Sequence, residues 1–168
     1  MRIFLVGFSG CGKSTLAKKL AKLLNYTCID MDSFFVQNYR MSISECFLAY
    51  GEQFFREKEK ELLIEIIEKD DIVVAVGGGT PCFENNMDLM NQNGLTIYIQ
   101  MSPSALYNRL KEHTEHRPIL AASNDLLLTI TNLLKNRNPF YSQAKITIQG
   151  INLTAKKIVQ IIKEYEEK

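Results

Sequence analysis

The sequence predicts an α/β fold of three layers, a five-stranded parallel sheet with helices on both faces, and two observations carry that prediction. Short runs rich in β-branched residues alternate along the chain with longer segments of 3.6-residue apolar periodicity, the pattern of repeated β-α units with right-handed crossovers. The strongest of those runs are also apolar on both alternating faces, which suits strands covered from both sides.

Taken in order, the first strand is RIFLV (2–6), followed by a helix on which Leu16, Leu20, Leu23 and Leu24 recur at helical spacing. YTCID (26–30) is a weaker second strand. Residues 33–69 read as helical and intervene before the third strand, DIVVAV (71–76). LTIYI (95–99) is the fourth and KITIQ (145–149) a weaker fifth, and Ile158, Ile161, Ile162 and Tyr165 mark a last amphipathic helix. EHTEHRPILAAS (112–123) has no clear period and reads as a mobile loop. In such a fold ligands gather at the carboxyl ends of the strands.

Composition narrows the function. With 168 residues the chain suits one domain, and 20 basic against 19 acidic side chains leave a net charge of +1. No global field then draws the protein to nucleic acid or to an anionic membrane, so any anion is met locally. Cys11, Cys28, Cys46 and Cys82 are far apart and form no CxxC pair, which favours reduced thiols over zinc or disulfides. Apolar runs such as IVVAV are too short to cross a bilayer and no leader pattern precedes the first strand, so a cytoplasmic protein is expected.

The chemistry begins at GFSGCGKST (7–15). Gly7, Gly12, Lys13 and Ser14 match G-x-x-x-x-G-K-[ST], between a strand and an amphipathic helix as that motif requires. Glycines let the backbone wrap a phosphate so that successive N–H groups, from Gly10 and Cys11 through Thr15, face the anion together with the helix N-terminus. Lys13 adds a point charge, and the Ser14 hydroxyl suits magnesium, which takes oxygen ligands. The loop therefore reads as a nucleoside triphosphate site, against the alternative of a plain glycine-rich turn.

Further along, CIDMDSFF puts Asp30 and Asp32 at a strand end, two apart on a segment read as extended, so that both carboxylates point the same way. One can support the metal shell and the other can orient or deprotonate an acceptor hydroxyl; the structural alternative is a helix cap. In GEQFFREKE, Arg56 stands among aromatics, while Glu57, Lys58, Glu59, Lys60 and Glu61 read as a solvated face. Gly77, Gly78 and Gly79 in VGGGTP let a ligand approach bare backbone. Arg117 in HRPIL and Arg137 in NRNPFY offer forked donors for carboxylate or phosphate. His113 and His116 read as solvent-exposed, and Phe47 and Phe55 as either a pocket wall or plain core.

In order and spacing, GFSGCGKST, the DMD pair, GEQFFRE, VGGG, RPIL and RNPFY resemble the shikimate kinase family over nearly the whole chain. The resemblance implies a P-loop, nucleoside-monophosphate-kinase-like fold with strand order 2-3-1-4-5, a substrate-binding segment at about 33–61 and a lid at about 112–123. It implies ATP and Mg2+ as cofactors and transfer of phosphate to the shikimate 3-hydroxyl, by a monomer. By position, Asp32 meets the acceptor hydroxyl and Asp30 supports the metal with Ser14. Arg56 and Arg137 hold the substrate carboxylate, and Gly78 and Gly79 line the ring. Lys13 and Arg117 stabilise the transferring group, and Arg109 packs on adenine. Two stretches depart from the family, YRMSISE with Arg40 and Met41, and QGINLTAKK, where Gly150 to Thr154 are expected to supply backbone contacts to the adenine side. The competing readings are a gluconate-type kinase on the same scaffold and a catalytically silent nucleotide-binding regulator.

Overall fold

The computed structural model describes residues 1–113 and 117–167. Five parallel strands form one sheet in the order β2-β3-β1-β4-β5: β1 (Arg2–Val6), β2 (Thr27–Asp30), β3 (Ile72–Ala75), β4 (Leu95–Gln100) and β5 (Ile146–Gln149). The helices are α1 (Lys13–Leu24), α2 (Met31–Tyr39), α3 (Ile43–Ile67), α4 (Asn86–Asn93), α5 (Pro103–Leu110), α6 (Pro118–Ala121), α7 (Leu126–Tyr141) and α8 (Ala155–Glu166), with a 3-10 turn at Thr80–Cys82. Among the described residues no helix is long and apolar enough to cross a membrane.

Burial follows the apolar pattern. Ile3 to Val6, Ile72 to Ala75 and Leu95 to Ile99 are buried on both faces in the middle of the sheet, whereas β2 and β5, the weaker runs, are its half-exposed edges. Periodicity overreached on the helices: Leu16, Leu20, Ile158 and Ile162 enter the core, but Leu23 and Tyr165 stay exposed.

Register sets the site. Leu5 and Asp30 both pair with Ala75, so the segments leaving β1, β2 and β3 start from one level of the sheet. Because the chain leaves β1 toward β2 on one side and reaches β4 on the other, the loop after β1 stands where strand order reverses, the usual crevice of doubly wound sheets.

The α2–α3 pair has a second, smaller core of Phe35, Cys46, Phe55 and Leu62. Arg40 ends α2 in the left-handed conformation (φ 52°), within the YRMSISE stretch. Ser42 and Glu45 then form a reciprocal capping box on α3. Gly51 (φ 83°) kinks α3, and the Phe47 and Phe55 rings on either side of the kink lie 5.0 Å apart. The expected loop at 112–123 is a helix in part, since Pro118–Ala121 form α6; Pro at the first helical position has its φ preset and no N–H to leave unpaired. Residues 114–116, His116 among them, lie outside the described residues.

Candidate active site

The phosphate loop is open at the helix end that matters. Gly12 caps α1 with φ 100°, a conformation that L side chains avoid, and no side chain bonds the first-turn N–H groups. Five of the other helices (α2, α3, α5, α7 and α8) have a side-chain cap at this position. The free N–H groups of α1 face the cleft, with the positive end of the helix dipole behind them. Lys13 is only 8 % exposed. Its Nζ donates to the carbonyls of Gly7 (2.7 Å) and Phe8 (2.9 Å) and to Cys11 Sγ at 3.8 Å, a weak third contact that an anion can replace. Ser14 Oγ donates to the Asp30 carboxylate.

Asp30 and Asp32 differ from the extended pair that was expected. The strand stops at Asp30, whose carboxylate caps α2 by accepting from Ser33 N at 3.2 Å, and Asp32 lies in the first helical turn. Satisfying an orphan N–H in the first turn of α2 outweighs continued extension. Both residues nevertheless border the cleft that the phosphate loop lines, which also takes in Ser9, Gly77, Gly78 and Arg117.

A second cleft opens from the first and is lined by Asp32, Arg56, Glu59, Gly77 to Gly79 and Arg137, with Phe47 and Phe55 in its apolar wall. Asp32 and Arg117 belong to both clefts. Asp32 touches water, yet it sits in a concavity where surrounding protein displaces bulk solvent. Burial there, with the Glu59 and Asp30 carboxylates adding to it and Lys13 and Arg117 opposing, raises its pKa to about 6.

The two arginines converge. A Cβ on Gly79 would lie 2.2 Å from the Arg56 guanidinium, and one on Gly78 would lie 3.4 Å from that of Arg137. Consecutive glycines thus make room for two guanidinium groups that reach the cleft from α3 and α7. Arg56 stacks 5.1 Å from the Phe55 ring, and Arg137 5.4 Å from that of Phe8. Behind Arg56, Glu59 accepts from it at 2.7 Å while itself only 2 % exposed. This corrects the reading of Glu59 as part of a solvated face. The i,i+3 spacing to Arg56 was the available signal, masked by the charge run around it. Burial pulls the Arg56 pKa down, but Glu59 and Glu52 outweigh it and hold the group above its usual value.

Three further expectations can be placed. Arg117 precedes α6 and donates to the His113 carbonyl, with its side chain in both clefts. Arg109 donates weakly to the Gly10 carbonyl (3.4 Å) and lines a third cleft beside the phosphate loop, whose other wall is Gly150 and Asn152 to Ala155. The four cysteines are free thiols, and burial lifts Cys82 to about 11 despite the pull of Arg137 and Arg56.

A phosphate loop on a 2-3-1-4-5 parallel sheet, opening into an acceptor cleft with a carboxylate at the junction, defines a P-loop phosphotransferase. Comparison with known proteins narrows the class. The family profile described as Shikimate kinase matches residues 9–166. A shikimate kinase of Phocaeicola vulgatus is 40% identical over 161 residues, 95% of this chain and 92% of the relative. The crystal structure of shikimate kinase from Bacteroides thetaiotaomicron superposes with a TM-score of 0.90 at 36% identity, covering 100% of this chain and 99% of the other. That of the Acinetobacter baumannii enzyme in complex with shikimate gives 0.92 at 30%, covering 99% and 95%. The chain belongs to the shikimate kinase family.

Proposed function

We propose that this chain transfers the γ-phosphoryl group of ATP to the 3-hydroxyl of shikimate. The observation that carries the reading is the convergence of Arg56 and Arg137 over Gly79 and Gly78, in a cleft that shares Asp32 with the phosphate loop. A small polyhydroxy carboxylate needs these features. Two forked cations grip its acid, bare glycine backbone lies against its ring, and a carboxylate stands at the mouth of the triphosphate site.

In this reading Asp32, ionised at neutral pH, accepts a hydrogen bond from the 3-hydroxyl and takes its proton as the new O–P bond forms and ADP departs. The α1 N-terminus, from Gly10 and Cys11 through Thr15, holds the β- and γ-phosphates. Lys13 and the Arg117 guanidinium meet the charge on the transferring group. Arg109 and the Gly150–Thr154 loop form the adenine side. The lid at about 112–123, of which 114–116 lie outside the described residues, closes over the junction and keeps water from the γ-phosphate.

Ser14 and Asp30 present hard oxygen ligands side by side, a set that fits Mg2+. Among the described residues no group of three or more His, Cys, Asp or Glu is placed to hold a metal, so phosphates and water would complete the shell. When bound, the ion neutralises charge on the triphosphate. The chain is read as a monomer in the cytoplasm, and its free thiols accord with that compartment.

A coupled assay offering shikimate, gluconate and nucleoside monophosphates tests the reading. Turnover of shikimate alone is expected, with Arg137→Ala raising its KM by well over tenfold and Arg117→Ala lowering kcat while the fold stays intact. Turnover of gluconate but not shikimate would reject it.

A further inference from the structure

RNPFY places a second side chain behind the site, against the glycine loop. Tyr141 lies four residues after Arg137 on α7, so the two project from one face of the helix. Tyr141 is fully buried, and its hydroxyl donates to the Gly78 carbonyl at 2.5 Å, across 63 residues of sequence. Its ring packs on Tyr98 of β4 at 5.1 Å, and the Tyr98 hydroxyl donates to Asn138 on the same turn of α7 at 2.8 Å. Two tyrosines therefore tie the last turn of α7 to the sheet and to the glycine loop.

That turn has a reason to need tying. Pro139 lies inside α7, where it has no N–H to bond the carbonyl four residues back and its ring crowds that carbonyl. A helix loosened at Pro139 does not hold Arg137 in register with Gly78 through its backbone alone. The Tyr141 hydroxyl supplies the missing constraint, since it fixes the Gly78 carbonyl and with it the direction of the neighbouring glycine N–H groups. Burial raises the Tyr141 pKa, and Arg137 pulls the other way, so the group stays a neutral donor beside that guanidinium.

We infer that Tyr141 is a positioning residue for the acceptor site: by holding the Gly78 carbonyl it sets the glycine loop and Arg137 in the one relative placement that receives the substrate carboxylate and ring. This rests on the reading of Arg137 as part of the carboxylate clamp.

Tyr141→Phe keeps the ring and its stacking on Tyr98 and removes only the donor. The expected result is a rise in KM for shikimate of roughly threefold to tenfold, the usual worth of one hydrogen bond, with KM for ATP and kcat within about twofold of the parent chain. Faster amide hydrogen exchange confined to residues 77–80 of the full chain should accompany it. Tyr98→Phe serves as the stability control, because it keeps the stacked pair and removes only the hydrogen bond to Asn138, without touching Gly78. An unchanged shikimate KM, or an equal rise in both KM values, would overturn the inference. Arg137→Ala measured alongside separates the two levels. If it weakens shikimate while Tyr141→Phe does not, the positioning role fails and the clamp stands. If Arg137→Ala leaves shikimate binding unaltered, the clamp itself fails.

Discussion

Gly79→Ala is the sharpest single test of the acceptor site, because the backbone there accepts alanine and the nearest atoms that the new methyl meets all belong to Arg56. Gly79 has φ −94° and ψ −15°, a conformation that alanine adopts freely, so the backbone is not strained and a less flexible unfolded chain even favours the variant slightly. The new methyl meets a guanidinium instead. Its carbon would lie 2.2, 2.5 and 2.8 Å from three atoms of Arg56, where ordinary contact is about 3.5 to 4.0 Å. Arg56 has to move by about 1 Å or more, yet Glu59 holds it from behind at 2.7 Å. Deleting one partner of a buried charge pair costs about 2–5 kcal/mol. A displaced cation keeps part of its attraction, so we expect a loss of about 1.5–3 kcal/mol, roughly a tenfold to hundredfold weaker grip on shikimate. Calorimetric titration with shikimate, steady-state KM and a thermal unfolding curve together make the assay. A variant that unfolds as the parent does and still binds shikimate with parental affinity would falsify the placement of Arg56 in the clamp.

Three other predictions follow from particular residues. Arg40→Gly should stabilise the fold by about 0.5–1 kcal/mol in denaturant titration, because it removes a side chain from a left-handed helix end. Asp30→Ala should cost about 0.5–2 kcal/mol of stability even without nucleotide, since the carboxylate caps α2. Asp32 titrates near 6, so kcat/KM should fall as pH drops through that value, and Asp32→Asn should lose turnover while keeping part of its shikimate affinity. The sign for stability is opposite. The folded state holds the Asp32 proton more tightly than the unfolded chain, whose carboxyl titrates at about 3.9. Its contribution to stability is therefore fully present below about pH 4 and lost as pH rises through about 6. Asp32→Asn should accordingly unfold later than the parent at pH 8, with the gap closing below pH 4. A constant gap across that range would contradict the shift.

The phosphate loop and the strands were legible in the sequence because each is a local pattern, fixed glycine spacing or a β-rich apolar run. Side-chain destinations that depend on packing were harder to read. Asp30 and Asp32 looked like an extended pair because spacing does not say where a strand stops. The helix took over at Met31 once the Asp30 carboxylate met the Ser33 N–H. Glu59 looked solvated within a run of charges, and it is buried because Arg56, from the preceding turn, turns inward over Gly79 and needs a counter-charge there.

By itself, then, the sequence determined the order of elements and the kinds of group available for chemistry, since backbone periodicity and turn geometry act over a few residues. Tertiary structure alone decided which groups meet. Arg56 and Arg137 are far apart along the chain, and so are Tyr141 and Gly78. What brings each pair together is parallel register, with β1 and β2 both level with Ala75, and the packing of α3 and α7 against the 3-10 turn that follows the glycines, neither of which any short stretch of residues encodes.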